Sequence, residues 1–402
     1  MLTRDFGSEE DARIGEVRAR MSTEVEQTAV RATGVPREIT NPRLTSLDVF
    51  RGMTIAGMIL VNDAGDWGHV YWPLDHAEWN GWTPTDLIFP FFLFIVGVSM
   101  VLSFDSRRTK GSSRGELLLH ALKRSAVIFA LGLFLNLYPT FDLHTVRFTG
   151  VLQRIAVVYL ISSVIVSYCG RTLRCAITIA LLLGYWAMMK LIPLPGCGAG
   201  VLTMDCSLAG YVDRAVMYNH LWVEHRFDPE GFMSTIPAIA TCLFGVFAGE
   251  WMRSKKGEPL IRGLLIAATF GLGLGKVWNM WFPINKNLWT SSYVLFTAGF
   301  ACAVLAFCYW TVDVRGWKKW AQPFMWYGVN PLGIYFLASF TGIVSVRHHI
   351  GDRTLKDILY NSVYANLTAS PYFNSMLYGL TYVLLFLVVA WLLYRKRIFI
   401  RV

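Results

Sequence analysis

The sequence predicts an all-α polytopic transmembrane helical bundle of about ten spans, with both termini on the cytoplasmic side. Three observations carry this expectation. Of 402 residues, 54% are hydrophobic and only 16% are charged, against about 25% charged in an ordinary soluble domain. Apolar runs of about 20 residues recur along the chain, whereas the short alternating segments of a membrane barrel do not. Lysine and arginine are also shared unevenly between alternate connections, as the positive-inside rule requires.

The elements follow in order. Residues 1–46 are polar, carry charges of both signs and lack an apolar signal core, so they read as a disordered cytoplasmic tail. The transmembrane domain takes up 47–402. Its first span, 47–62, opens with "LDVFRG", where Asp48 and Arg51 share a helical face and can pair. The second, 86–104, follows "WTPTDLIFP". The third, 119–138, is entered from the cytoplasm past Arg124, and the fourth, 150–168, is entered from outside past Gln153 and Arg154. The fifth, 175–192, runs into the polar loop "PGCGAGVLTMDCS". If that loop is extracytoplasmic, Cys197 and Cys206 are placed to form a disulfide. Spans at 232–252, 262–281 and 289–310 follow, with Lys276 deep in the middle one. The ninth, 322–344, contains Asn330-Pro331, and the proline predicts a break whose freed carbonyls need polar neighbours. The tenth is 373–394.

Charge fixes the orientation. One set of connections carries Arg107, Arg108, Lys110 and Arg114; Arg171 and Arg174; Arg253, Lys255, Lys256 and Arg262; and Arg315, Lys318 and Lys319. The C-terminal tail adds Arg395, Lys396, Arg397 and Arg401 to that side. The other set, over longer loops, holds only Arg147, Arg214, Arg226, Lys286, Arg347, Arg353 and Lys356, and its first loop has none. The richer set reads as cytoplasmic. This distribution also accounts for the net charge of +10, and without a basic soluble domain it argues against a nucleic-acid partner. Five further cysteines lie in or beside apolar runs as packing residues, and no spacing points to a metal site.

Polar residues at the membrane edge carry the chemistry. "LDHAEWNGWTPTDLIFP" places His76 among Asp75, Glu78 and Asp86, with Trp79 and Trp82 beside it. An imidazole titrates near neutrality and can take a proton from an attacking amine or hydroxyl, while a carboxylate fixes its tautomer. The sequence does not say which carboxylate. Asn62, closing the first span, offers an amide donor to a developing oxyanion. The tryptophans form either an interfacial belt or a wall for a sugar ring. Asp228 and Glu230, in "NHLWVEHRFDPEG", are candidates to orient groups or bind sugar, while Asp228-Pro229 with Gly231 also makes a plain helix entry. Their segment also holds His220, Glu224 and His225, and its spacing fits no strong metal template. Asn285 and Asn287 flank Lys286 in "PINKNLW" and either bind hydroxyls or cap a helix. Arg124, Gln153, Arg154 and Lys276 are candidates for a phosphate-bearing cofactor by charge and depth. Snorkelling is the plain alternative for Arg124.

Taken in order, "RLTSLDVFRGMTIAGMILVN", "HAEWNGWTPTDLIFPFFLFIVG", "GVLQRIAVVYL", "HLW…DPEGFMSTIPAI", "PINKNLWTSSYV" and "WLLYRKRIF" resemble the heparan-α-glucosaminide N-acetyltransferase family. The likeness runs from about Arg43 to the C-terminus and is nearest to the compact bacterial NagX-like members. It implies an integral membrane enzyme, in the cytoplasmic membrane if the source is bacterial. Such an enzyme takes acetyl from cytosolic acetyl-CoA and delivers it to the amine of a glucosamine on the opposite side. It also implies that His76 is the essential base or transient acetyl carrier and that Asn62 is the carbonyl donor. The partners so implied are an amino sugar, acetyl-CoA and membrane lipid, with no metal; a homodimer is the expected assembly on frequency alone. Two other readings use the same residues: a sugar transporter or permease without bond chemistry, and an O-acetyltransferase acting on a glycan hydroxyl.

Overall fold

The computed structural model describes residues 44–222 and 226–400. Nearly all of the expected tail at 1–46 therefore lies outside the described residues, as do Glu224 and His225. In chain order the helices are α1 (Thr45–Asn62), α2 (Ile88–Thr109), α3 (Arg114–Leu137), α4 (Val151–Tyr168), α5 (Arg171–Leu191), α6 (Leu208–Met217) and α7 (Phe232–Ser254). Then come α8 (Glu258–Trp278), α9 (Ser291–Cys308), α10 (Gln322–Val329), α11 (Pro331–Arg347), α12 (Leu355–Leu359) and α13 (Pro371–Arg395). The described strands form two short antiparallel ribbons, β1 (Pro193–Leu194) with β2 (Gly198–Ala199) and β3 (His349–Ile350) with β4 (Arg353–Thr354).

Eight helices, or nine counting the α10–α11 pair as one span, are long and apolar enough to cross a membrane among the described residues. The sequence predicted about ten. The difference is α1, whose 18 residues include Asp48 and Arg51. It still runs from one end of the bundle to the other. Ser46 N donates to Asp313 Oδ2 at 3.3 Å near its start, and Gly65 N donates to Ser375 O at 3.2 Å just beyond its end. Asp48 and Arg51 do pair, at 2.9 Å, and Arg51 also donates to Ser99 Oγ and the Gly328 carbonyl.

Burial separates inner from outer helices. The spanning windows of α7 and α9 are 72% buried and those of α5, α8 and α13 only 22%, so the latter present their apolar faces outward. Phe270, Leu274, Leu384 and Leu385 are among the exposed side chains that need an apolar solvent. The inner helices meet at glycines. A methyl group on Gly97 of α2 would lie 2.0 Å from the Cys242 carbonyl oxygen, and one on Gly245 of α7 would lie 1.9 Å from that of Phe94. Gly52 and Gly328 stand in the same relation between α1 and α10. Only hydrogen fits there, and the close backbone approach supplies packing that apolar attraction alone cannot give inside lipid.

The chain breaks where the proline predicts. Helices α10 and α11 meet at 87°. Asn330 fills the gap, donating from Nδ2 to Ile398 O and accepting from Ile400 N, both at 2.8 Å. The C-terminal segment is thus tied to the break.

The connections sort into two ends. One end joins loops 63–83, 192–207 and 279–290 through Trp79 Nε1 to Leu202 O at 2.7 Å and Gly81 N to Ile284 O at 2.8 Å. Cys197 and Cys206, on that end, are disulfide-bonded. At the other end Arg253 pairs with Asp105 at 2.5 Å, Arg107 donates to His120 at 2.9 Å, and Gly257 N donates to the Tyr309 hydroxyl at 2.9 Å. These are the two sets that the basic residues separate in the sequence. Span boundaries shift by a few residues because charged first turns join the helices. Arg114 follows the Ser113 cap, whose side chain accepts from Glu116 N. One depth expectation is corrected: α8 ends at Trp278, so Lys276 sits in its last turn, exposed, rather than deep in a span.

Candidate active site

The site is built from how the α1–α2 loop meets the start of α2. Thr83 caps a single helical turn, Pro84–Leu87, that leads into α2. Its amide donates to Asp86 Oδ2 at 3.0 Å, and its hydroxyl donates to the Asp75 carbonyl at 2.5 Å. Thr85 likewise donates to the Pro73 carbonyl at 3.0 Å. These bonds fold residues 73–77 back over the helix start. Asp86, 1% exposed, then receives the Ala77 amide at 3.1 Å on one oxygen and His76 Nδ1 at 2.7 Å on the other. An ionised carboxylate can only accept, so Nδ1 carries the proton and Nε2 of the neutral ring bears a lone pair. The ring is 47% exposed. Asp75, by contrast, accepts the His76 amide at 2.8 Å and so orients backbone, not imidazole.

Lys286 reaches this ring from the α8–α9 loop. Its Nζ lies 3.1 Å from both ring nitrogens and 3.8 Å from Asp86 Oδ1. The loop is rigidly tied: Asn285 Oδ1 accepts the Leu288 amide at 2.8 Å, and Thr290 Oγ1 accepts the Asn285 amide at 3.1 Å. Asn285 Nδ2 donates across to Asn80 Oδ1 at 3.2 Å. Burial pushes the Lys286 ammonium below the ordinary lysine range, with Glu230 and Asp86 opposing the shift.

Beneath this pair lies a charged floor. Arg147 grips Asp228 through Nε at 2.7 Å and Nη2 at 2.6 Å, and reaches Glu230 at 2.5 Å. Asp228 also accepts from Thr149 Oγ1 at 2.6 Å and the Glu230 amide at 2.8 Å. Its oxygens are therefore filled by the protein. Burial would raise the Glu230 carboxyl, but Arg147, Arg154 and Lys286 outweigh it and hold the group below its usual value. Arg154 is 2% exposed and lies over the Trp289 ring at 4.9 Å. Its Nη2 donates to the Pro229 and Gly231 carbonyls, while Nε and Nη1 have no protein acceptor.

The other sequence candidates divide. Trp79 is committed, its N–H bonded to Leu202 and its ring edge-on to Phe227. Asn287 is half-buried and, among the described residues, forms no protein hydrogen bond. Glu78 is exposed. Asn62, the last residue of α1, is exposed and not hydrogen-bonded to His76. Gln153 lies beside Arg154 with its Nε2 unpartnered. Arg124 lies over the Tyr159 ring at 5.1 Å, one turn past His120 and the opposite end of the bundle, with Lys276 far along another helix. These four therefore do not line one surface. A cavity of about 730 Å³ opens elsewhere, between α7, α8 and α9, with Phe244, Phe270 and Leu274 in its mainly apolar wall.

Lys286 and Arg147 were missed as site residues. The turn holding Lys286 stood out in the sequence, but its contact with a ring 210 positions away did not. Arg147 left no local signal.

A family model described as "Heparan-alpha-glucosaminide N-acetyltransferase, catalytic" matches residues 43–273. The chain belongs to that family. The matched part of this heparan-alpha-glucosaminide N-acetyltransferase family member takes in His76, Asp86, Arg147, Arg154 and Glu230 and ends before Lys286. Among curated relatives, the human heparan-alpha-glucosaminide N-acetyltransferase is 33% identical over 352 residues, 73% of this chain and 52% of that protein. The mouse protein of the same name is 32% identical over 351 residues, 73% and 53% of the two chains. The chain thus spans about half the length of the curated relatives it matches.

Proposed function

We propose that this chain is a transmembrane N-acetyltransferase, moving acetyl from acetyl-CoA at the cytoplasmic face to the amine of a glucosamine-type sugar on the other side. The observation that carries this reading is the Asp86-held imidazole of His76 in a loop without lysine or arginine, within a chain of this family. Both termini are cytoplasmic on this reading, and the sugar, acetyl-CoA and surrounding lipid are the partners.

The donor supplies an activated thioester carbonyl. The sugar amine, protonated and non-nucleophilic at neutral pH, loses one proton to solvent, and Nε2 of His76 takes a second as the neutral amine attacks. Asp86 keeps the ring in the tautomer this needs and steadies the imidazolium that forms. Glu78 and Asp75, both exposed, give the approach a negative cast that favours a cationic sugar. Arg154 Nε and Nη1 and Gln153 Nε2 are buried donors lacking acceptors, which fits a carbonyl- or phosphate-bearing ligand reaching them.

The test uses full-length protein in proteoliposomes, labelled acetyl-CoA on one side and glucosamine on the other. Formation of the N-acetyl amide, identified by mass spectrometry and seen with only one sidedness, is the expected result. An ester product would make the acceptor a hydroxyl, and uptake of unmodified sugar would make the protein a transporter.

A further inference from the structure

We infer that Lys286 is a further catalytic residue of this site, its ammonium donating a hydrogen bond to the acetyl carbonyl oxygen as negative charge develops there. The inference rests on the acetyl-transfer reading above.

Distance comes first. A group reacting under the control of Nε2 sits roughly 3–3.5 Å from it. Lys286 Nζ is 3.1 Å from that nitrogen. An oxygen bonded to the carbon under attack comes within hydrogen-bond reach of the lysine when the carbonyl is presented on the side of the ring that Lys286 covers. The ammonium is equally far from both ring nitrogens, so it lies across the ring and leaves the Nε2 lone pair clear.

A purely structural ion pair with Asp86 explains the position less well. Asp86 already accepts from His76, the Ala77 amide and the Thr83 amide. Lys286 is farther from it, at 3.8 Å, than from the imidazole. The groups acting on the ammonium are Asp86 from the turn before α2, Glu230 from before α7, and Arg154 from α4. Burial and Arg154 work against the ammonium, and the two carboxylates work for it. The loop bonds of Asn285 and Thr290 hold that cation in position before substrate arrives, which is the condition for a large electrostatic contribution.

The step balances as follows. His76 Nε2 takes the amine proton as nitrogen bonds to the carbonyl carbon and the carbonyl electron pair moves onto oxygen. Lys286 donates to that oxygen. His76 then returns the proton to sulfur as the C–S bond breaks and the C=O bond re-forms.

The decisive variants are Lys286→Met, Lys286→Arg and Lys286→Cys, assayed in liposomes with labelled acetyl-CoA and glucosamine. Removing one oxyanion donor lowers kcat by about 10²–10³-fold, so Lys286→Met is expected to fall in that range with KM for both substrates nearly unchanged and Tm preserved. Alkylating Lys286→Cys with 2-bromoethylamine restores an amine of similar reach and is expected to recover activity, an effect a structural role does not give. Wild-type kcat in Lys286→Met, or a loss confined to KM, overturns the assignment while leaving the acetyltransferase reading intact. Failure of wild type to acetylate any amine overturns both.

Discussion

Nδ1 of His76 lies 2.7 Å from Oδ1 of Asp86, ten residues further along the chain, and the same carboxylate caps the helix turn that brings the two together. One buried side chain therefore sets both the loop and the tautomer. Asp86→Asn retains the shape but exchanges an acceptor for an amide. By analogy with serine-protease triads, loss of the orienting carboxylate costs about 10⁴-fold in kcat, and a fall of about 10²–10⁴-fold is expected here. Acetyl-transfer rates and Tm measured on the same preparation check this, since the account requires the rate to fall much more than the stability.

The Arg147–Asp228–Glu230 cluster is expected to bear on stability first. Asp228 is fully buried and its charge is met by a two-pronged guanidinium. Removing one partner of a buried pair strands the other, at a cost of about 3–5 kcal/mol. Arg147→Met should show this in detergent unfolding curves, and Arg147→Met with Asp228→Asn should recover much of it. A single variant as stable as wild type would contradict the assignment.

Stability should also fall as pH rises through the weakly acidic range. Burial pushes the Asp63 carboxyl up to about 7, with Lys356 pulling the other way, and burial pushes Asp213 up to about 7 as well. The unfolded carboxyls release protons near the ordinary value of 3.8. Between those two values the folded state binds more protons than the unfolded one, so stability declines with rising pH and levels off above about 7. Asp63→Asn removes its share of the decline, on the order of a few kcal/mol at pH 8. Thermal melts of wild type and variant at pH 5 and pH 8 should converge at the lower pH and separate at the higher.

The Cys197–Cys206 bond closes a short loop that Trp79 grips through Leu202. Closing a loop of this size restricts the unfolded chain by roughly 2–3 kcal/mol. The double variant Cys197→Ser, Cys206→Ser should lose about that much in unfolding free energy. Reduction of the native protein should have the same effect, and equal stability with and without reductant would contradict it.

Much of the bundle was legible in the chain because lipid leaves so few options. Long apolar runs must be helices, the uneven basic residues sort the loops, and Pro331 cannot continue a helix. The α1 helix shows the limit: Asp48 and Arg51 dilute its hydropathy, yet their mutual pairing lets it run the length of the bundle. At the site, local sequence brought His76 and Asp86 within one motif, but left Asp75, Glu78 and Asp86 as equal candidates. Only the turn at Pro84 distinguishes them. Asp228 and Asn285 looked like ligands because they are polar and near apolar runs, whereas their hydrogen-bonding capacity is largely spent inside the protein. Lys276 looked buried because hydropathy placed the end of its helix a few residues late. Lys286 and Arg147 meet their partners only after the whole bundle assembles, so no window of sequence contains either contact.

The most direct test of the central claim compares wild type, His76→Ala and Asp86→Asn for transfer of labelled acetyl from acetyl-CoA to glucosamine in the same liposomes. The account predicts N-acetylglucosamine from wild type, a large loss in Asp86→Asn, and none above background from His76→Ala, with all three proteins folded. Wild-type rates from His76→Ala would contradict it.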